Sequence, residues 1–191
     1  LVWCITRMQY SLGSLRIVSA KANPDLFPPW VAQALRSSAF AEPVGVSPID
    51  PTFSGTAAFC EAYCVRPNQA ANCVIVEAKR GERSWFAAVV VLASTRADIN
   101  GLLRKTLDAR KVSFAPMERA VLETGMEYGA ITPIGLPEGW PIYIDRAVAE
   151  SPLVIIGSGV RASKIVLSGH MLAQLPGAVV LDGLGIARSP A

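Results

Sequence analysis

A mixed α+β fold, with a twisted and partly closed mixed β-sheet and helices outside it, is what this sequence predicts. Three observations carry that expectation. Hydrophobic residues make up 51% and charged residues 17% of the 191 positions, enough for a real core and too apolar for a disordered chain. Short β-branched runs and helix-period runs follow one another without strict strand-helix-strand alternation. The longest apolar run, Trp85 to Ala93, suits a buried strand and falls well short of the roughly 20 residues of a membrane helix. The length favours one domain over residues 1–191.

The elements follow in order. LRIVSA (Leu15 to Ala20) reads as a short strand, and Pro28 and Pro29 open a helix carrying Trp30, Ala34 and Leu35. EPVGVSPID is a second short strand, closed at Asp50-Pro51. Thr56 to Val65 has helical spacing, with Ala58, Phe59, Ala62 and Tyr63 as its buried stripe. Asn72 to Ala78 and Ser84 to Ala93 form a central hairpin turned at Gly81. Thr95 and Asp98 suggest a capping box ahead of an amphipathic helix with Ile99, Leu102, Leu103 and Leu107 inside and Arg104 and Lys105 outside. KVSF is a brief strand, and a helix from Pro116 stops at Gly125. PIYID and LVIIGSG read as two strands joined by a short acidic connection. KIVL, a helix-like HMLAQL ended by Gly177, and a last strand AVVL precede a Gly/Pro tail.

The densest signal lies between Lys111 and Asp145, where Gly125, Gly129, Gly135 and Gly139 alternate with Pro133, Pro137 and Pro141. Such a stretch must turn repeatedly and exposes backbone N–H groups. Gly129 lets the main chain approach a ligand with no Cβ in the way, so the stretch reads as a ligand-binding loop. GSGVRASK is a second glycine turn made electropositive by Arg161 and Lys164, and the two loops are expected to form opposite walls of one pocket.

Other chemistries find little support. A Ser-His or Cys-His mechanism would have to use the one histidine, His170, which reads as structural or solvent-exposed. Cys60, Cys64 and Cys73 match no common zinc spacing, so no metal and no cofactor is expected. The thiols, Cys4 included, lack a disulfide framework, and no signal peptide precedes them, which predicts a reduced, cytoplasmic protein with a possible native start at Met8. A net charge of +3 permits an acidic partner without demanding one, and neither DNA nor a membrane is expected as partner.

TAAFCEAYCV, ANCVIVEA, SWFAAVVVLAS, ARKVSFAP, TGMEYGAITPIGLP, PIYID and the GSG loop occur in an order and spacing that resemble the YbaK-type aminoacyl-tRNA deacylases. That family is similar to the editing domain inserted in bacterial prolyl-tRNA synthetases and to the ProXp proteins. The resemblance spans about residues 56–184, with residues 1–55 as an N-terminal extension packed on that core. It implies an enzyme that hydrolyses mischarged tRNA in trans, with tRNA-Pro carrying Ala, Cys or Ser as the expected substrate. It also implies that Gly129, Ala130, Ile131, Thr132 and Pro133 hold the aminoacylated terminal adenosine, with Gly157, Ser158 and Gly159 facing them. Partners would be tRNA and an aminoacyl-tRNA synthetase.

Two positions depart from the family pattern. The family lysine at the start of the strand after the first helix is replaced by Asn72, and Lys164 stands where close relatives of the type member carry an acidic residue. One reading is that Lys164 returns the ammonium from the other wall while Asn72 keeps a polar contact; the other is that Lys164 is a solvated strand residue. A non-catalytic protein that binds aminoacyl-tRNA or a synthetase is the alternative function that Asn72 raises. Asp145 is a candidate for binding an α-amino group or for capping a turn. Thr56 and Ser113 are candidate pocket hydroxyls, and Tyr128 covers the adenine or fills core. Arg104, Lys105, Arg110 and Lys111, with Arg96, make a basic run for acceptor-stem phosphates or a solvated helix face.

Overall fold

The computed structural model describes residues 12–36 and 43–188, so Cys4 and the start at Met8 lie outside the described residues. Its strands are β1 (Val18–Ser19), β2 (Gly45–Pro48), β3 (Ala71–Arg80), β4 (Arg83–Leu92), β5 (Thr95–Ala97), β6 (Lys111–Phe114), β7 (Ile142–Asp145), β8 (Val154–Gly157), β9 (Ser163–Leu167), β10 (Ala178–Leu181) and β11 (Gly185–Ala187). The helices are α1 (Pro29–Ala34), α2 (Thr56–Ala62), α3 (Arg104–Thr106), α4 (Met117–Thr124), α5 (Arg146–Ala149) and α6 (Gly169–Ala173). This is the mixed α+β architecture expected, with the strands divided among several sheets and no closed barrel.

A five-stranded sheet runs β10-β7-β4-β3-β6, a four-stranded sheet runs β1-β2-β9-β8, and β11 pairs with β5. The β3–β4 hairpin is the longest ladder, from Ala71 opposite Leu92 to Arg80 opposite Arg83, turning at Gly81 as the spacing predicts. A parallel bridge between Ala70 and Ile155 joins the two large sheets where β3 and β8 begin.

Both faces of β4 are buried, which is why its run is continuously apolar rather than alternating. Ala88, Val90 and Leu92 face the main core, shared with Ile75 of β3, Ile156 of β8, Ile165 and Leu167 of β9, and Val31 of α1. Ala87, Val89 and Val91 face a second cluster with Ile99, Leu103, Tyr143 and Leu184. A third, under α2, gathers Phe59, Val65, Ile155 and Val166.

Several local expectations are corrected. The strand read over Leu15 to Ala20 contracts to Val18–Ser19. Helix α2 stops at Ala62 because Cys64 takes a left-handed φ of 53°. Its buried face is Phe59 with Cys60 and Tyr63 alongside, whereas Ala58 and Ala62 are exposed. Thr95 belongs to β5 and donates its hydroxyl to Leu92 O at 2.9 Å, so there is no capping box. Asp98 alone caps the next turn, accepting from the N–H groups of Gly101 and Leu102 at 2.9 Å each. That turn, Ile99–Leu103, is wound as a π-helix ahead of α3. PIYID and LVIIGSG are separated by α5 and fall in different sheets, and the tail contributes β11.

Candidate active site

A cavity of about 560 Å³ opens where β3, β8, β9, α2 and the Gly/Pro loop converge. Gly55 begins α2 and turns Thr56 and Phe59 toward it. Asn72, the second residue of β3, enters from one side, and Lys164, the second residue of β9, from another. Ile75, Ile131, Ile155 and Ile156 make much of the remaining wall.

Lys164 is 6% exposed, which rejects the solvated-strand reading. Its Nζ donates to Ser54 O at 2.9 Å and lies 5.3 Å from the centroid of the Phe59 ring. Burial pulls its ammonium down from 10.5 to about 8, while Cys60 nearby acts in the opposite sense. The same burial pushes the Cys60 thiol up, opposed by Lys164. A second cation braces the floor: Arg161 Nε donates to Ser54 Oγ at 2.8 Å, a terminal nitrogen donates to Pro51 O at 3.0 Å, and the Arg161 N–H bonds to the Glu127 carboxylate. The Pro51–Ser54 turn is thus tied to the start of β9 by both side chains.

Thr56 Oγ1 donates to Asn72 Oδ1 at 2.5 Å. That bond fixes the amide so that its NH₂ end is the group left for a ligand.

The two glycine loops are neighbours in one wall rather than opposite walls. A Cβ on Gly157 would stand 2.4 Å from Ala130 O and 2.5 Å from Ile131 O, so only glycine allows β8 to end against the 129–133 segment. Gly159 N donates to Ala130 O at 2.8 Å and Glu127 N to Gly159 O at 2.9 Å, which locks the two loops together. Gly129, at φ 83°, and Ile131 line the cavity, and among the described residues their N–H groups have no protein partner.

The remaining sequence candidates lie elsewhere. Ala130 and Thr132 turn inward and are buried, and Pro133 lines a separate groove with Trp140 and Leu175. The Ser158 hydroxyl bonds Val160 O and Ser163 O at 2.9 Å each, holding its own turn, and Gly159 packs against Pro28 and Val31. Asp145 is buried as the N-cap of α5, accepting from Ala147 N at 3.2 Å and Gly185 N at 2.8 Å, so its role is the turn chemistry. Asp145→Ala is expected to cost about 2 kcal/mol of stability by orphaning both donors, with kcat unchanged below the melting range; denaturation and turnover on one preparation check this. Ser113 sits in β6 opposite Glu77. His170 contacts Gln174 at 2.9 Å on α6, away from the cavity.

Tyr128 and Phe114 line the cavity and are 61% and 56% exposed, so both are rim residues rather than core. Lys111 pairs with Lys79 on β3, seven residues from Asn72, or about 23 Å along the strand. Lys111 opens β6, whose last residue is Phe114 at the cavity rim, so the basic run is remote from Asn72 but not from the rim. Ser54 and Phe59, which seat Lys164, escaped the sequence reading, because nothing local marks a carbonyl or a ring face as a lysine's partner.

The family model for the aminoacyl-tRNA editing domain matches residues 50–175, a span that contains α2, the cavity and both glycine loops. The chain belongs to the aminoacyl-tRNA editing domain family. Solved structures carry the same fold at low identity. A crystal structure described as that of a candidate trans-editing enzyme for prolyl tRNA synthetase superposes with a TM-score of 0.68 at 19% identity, covering 86% of this chain and 97% of that one. The hypothetical protein APE2540 gives 0.62 at 23% identity, covering 73% and 86%. A scaffold protein from a computational epitope-grafting study gives 0.68 at 19%, covering 81% and 94%. Comparison with curated proteins finds no match. Among the described residues of this editing domain, no helix is long and apolar enough to cross a membrane.

Proposed function

We propose that this editing domain is a trans-acting hydrolase that deacylates mischarged tRNA, with tRNA-Pro carrying Ala, Cys or Ser as the substrate class. The observation that carries the reading is one cavity lined by Gly129 and Ile131, whose N–H groups have no protein partner among the described residues, and by Asn72 and Lys164. Those groups are donors, and the tetrahedral intermediate of ester hydrolysis needs donors for its oxyanion. Water adds to the ester carbonyl carbon, the bond to the ribose oxygen breaks, and that oxygen leaves as a protonated hydroxyl. Lys164 replaces the ammonium of the family lysine, and Asn72 supplies a neutral donor to the ribose or the amino acid. The chain works as one domain, with residues 12–36 and 43–55 packed on the core, in the cytoplasm.

Tyr128 and Phe114 at the rim are suited to stack on the terminal adenine. Replacing either with Ala is expected to raise KM by about 5- to 100-fold with kcat nearly unchanged, from about 1–3 kcal/mol per stacked base. A steady-state KM and kcat split checks it. Lys79 and Lys111 lie farther out along β3 and β6, with Arg110 bonded to Lys79 O and Arg104 and Lys105 on α3, where acceptor-stem phosphates would pass.

The test is release of the amino acid from tRNA-Pro charged with Ala, Ser or Cys by the purified protein. Turnover of at least one of the three is expected. Binding without turnover on all three would favour the alternative suggested by Asn72, a non-catalytic protein that binds aminoacyl-tRNA or a synthetase.

A further inference from the structure

Among the described residues, no Asp, Glu or His lines the cavity. All ion pairs among the described residues lie elsewhere, on the surfaces around Lys79, Arg80, Arg119 and Arg146. Lys164 therefore presents a buried positive charge whose polar partner is one backbone carbonyl, Ser54 O. A cation held in an apolar enclosure without a counter-charge favours an anionic ligand, because the ligand supplies the pairing that the protein withholds. The Asn72 amide stands in the same cavity, its NH₂ end free of protein partners among the described residues.

We propose that Lys164 Nζ and the Asn72 amide form a subsite for a small carboxylate, and that its natural occupant is the free amino acid released by the reaction. The inference rests on the deacylase reading for the identity of that occupant. Charge arithmetic selects a carboxylate over a phosphate. One ammonium balances the single carboxylate of a zwitterionic amino acid, whereas a phosphate carries up to two charges near neutral pH and would leave the excess in a wall of Ile75, Ile131, Ile155 and Phe59. Arg161, the other nearby cation, already donates its guanidinium to Ser54 Oγ and Pro51 O. Hydrolysis creates the carboxylate at the carbonyl carbon that the oxyanion donors surround, so the donors that favour the intermediate also retain the product. The enzyme is then inhibited by its own amino acid, and the ranking of free amino acids reports the acyl preference of the cavity.

The experiment is a titration of the full-length protein, followed by NMR chemical-shift changes, with L-alanine, L-serine, L-alaninol, inorganic phosphate and AMP. L-alanine or L-serine is expected to bind saturably in roughly the millimolar range. L-alaninol, which keeps the side chain and the amine but lacks the carboxylate, is expected to bind at least tenfold more weakly. Lys164→Met is expected to remove the binding, and Asn72→Ala to weaken it several-fold. Equal binding of alanine and alaninol, undiminished alanine binding by Lys164→Met, or saturable binding of phosphate or AMP in place of the amino acids would overturn the proposal. Deacylation measured on the same preparation keeps the two readings apart. Turnover without carboxylate binding rejects the subsite alone; carboxylate binding without turnover rejects the deacylase and leaves a carboxylate site without its proposed occupant.

Discussion

Lys164→Met is expected to yield a more stable and nearly inactive protein. In the wild type, burial holds the ammonium at about 8 against an ordinary 10.5, and that gap is worth about 3 kcal/mol of stability forgone at neutral pH. Methionine fills a similar volume without a charge, so the gain is about 1–3 kcal/mol after the lost bond to Ser54 O and the lost contact with the Phe59 ring. The pH dependence gives the sign. Because the folded pKa lies below the unfolded one, the folded chain binds fewer protons between about 8 and 10.5, and wild-type stability rises with pH across that window. The variant lacks this rise, so its advantage at pH 7 disappears by about pH 10.5. Cys73 in the cavity wall and Cys60 near Lys164 have thiols that burial pushes up, which keeps them protonated at neutral pH. Urea denaturation at both pH values checks the claim, and a variant less stable than wild type at pH 7 would contradict it. Deacylation by the variant is expected to fall about 100- to 1000-fold, the range for loss of one oxyanion donor.

Gly157→Ala should be equally damaging to activity and also destabilising. The new methyl would press on Ala130 O and Ile131 O at 2.4 and 2.5 Å, and both contacts are main chain with no flexible end to give. Relief requires the 129–133 segment to move off β8, breaking the lock between Gly159 N and Ala130 O. We expect a loss of about 2–4 kcal/mol, at the upper end of overpacking costs. We also expect kcat/KM to drop about 100-fold, because Gly129 and Ile131 are displaced from the reacting carbonyl. Gly81→Ala is the control: its φ is 59° with nothing within 4 Å, so it costs about 1 kcal/mol of backbone strain and leaves turnover unchanged.

The parts of the molecule legible in the sequence are those that local chemistry determines. The β3–β4 hairpin follows from two apolar runs around Gly81, and the end of α4 from Gly125, whose φ of 67° closes the helix. The Gly129 loop could be read as a ligand loop because repeated glycine and proline leave few other conformations. Pairings between distant segments were not legible. Thr95 looks like a cap until β11, about 90 residues later, turns its neighbourhood into a sheet. The burial of Lys164 is the sharper case. In SKIVL the lysine sits where alternation would put a solvent-facing residue, but α2 covers that face through Phe59, which shares a cluster with Val166, while Ile165 and Leu167 on the other face sit in the main core. Asp145 left ligand binding and turn capping both open, since its two N–H partners come from α5, hidden in an apparent loop, and from the C-terminal Gly185.

The central claim is that Lys164 takes over the ammonium role at a site where Asn72 has replaced the family lysine. Its most direct test is single-turnover deacylation of mischarged tRNA-Pro by wild type and Lys164→Met between pH 6.5 and 9, each corrected for spontaneous hydrolysis. The account predicts a wild-type advantage of about 100-fold or more at pH 6.5 that shrinks as pH passes about 8, where the ammonium loses its proton. Equal rates for the two proteins across that range would contradict it.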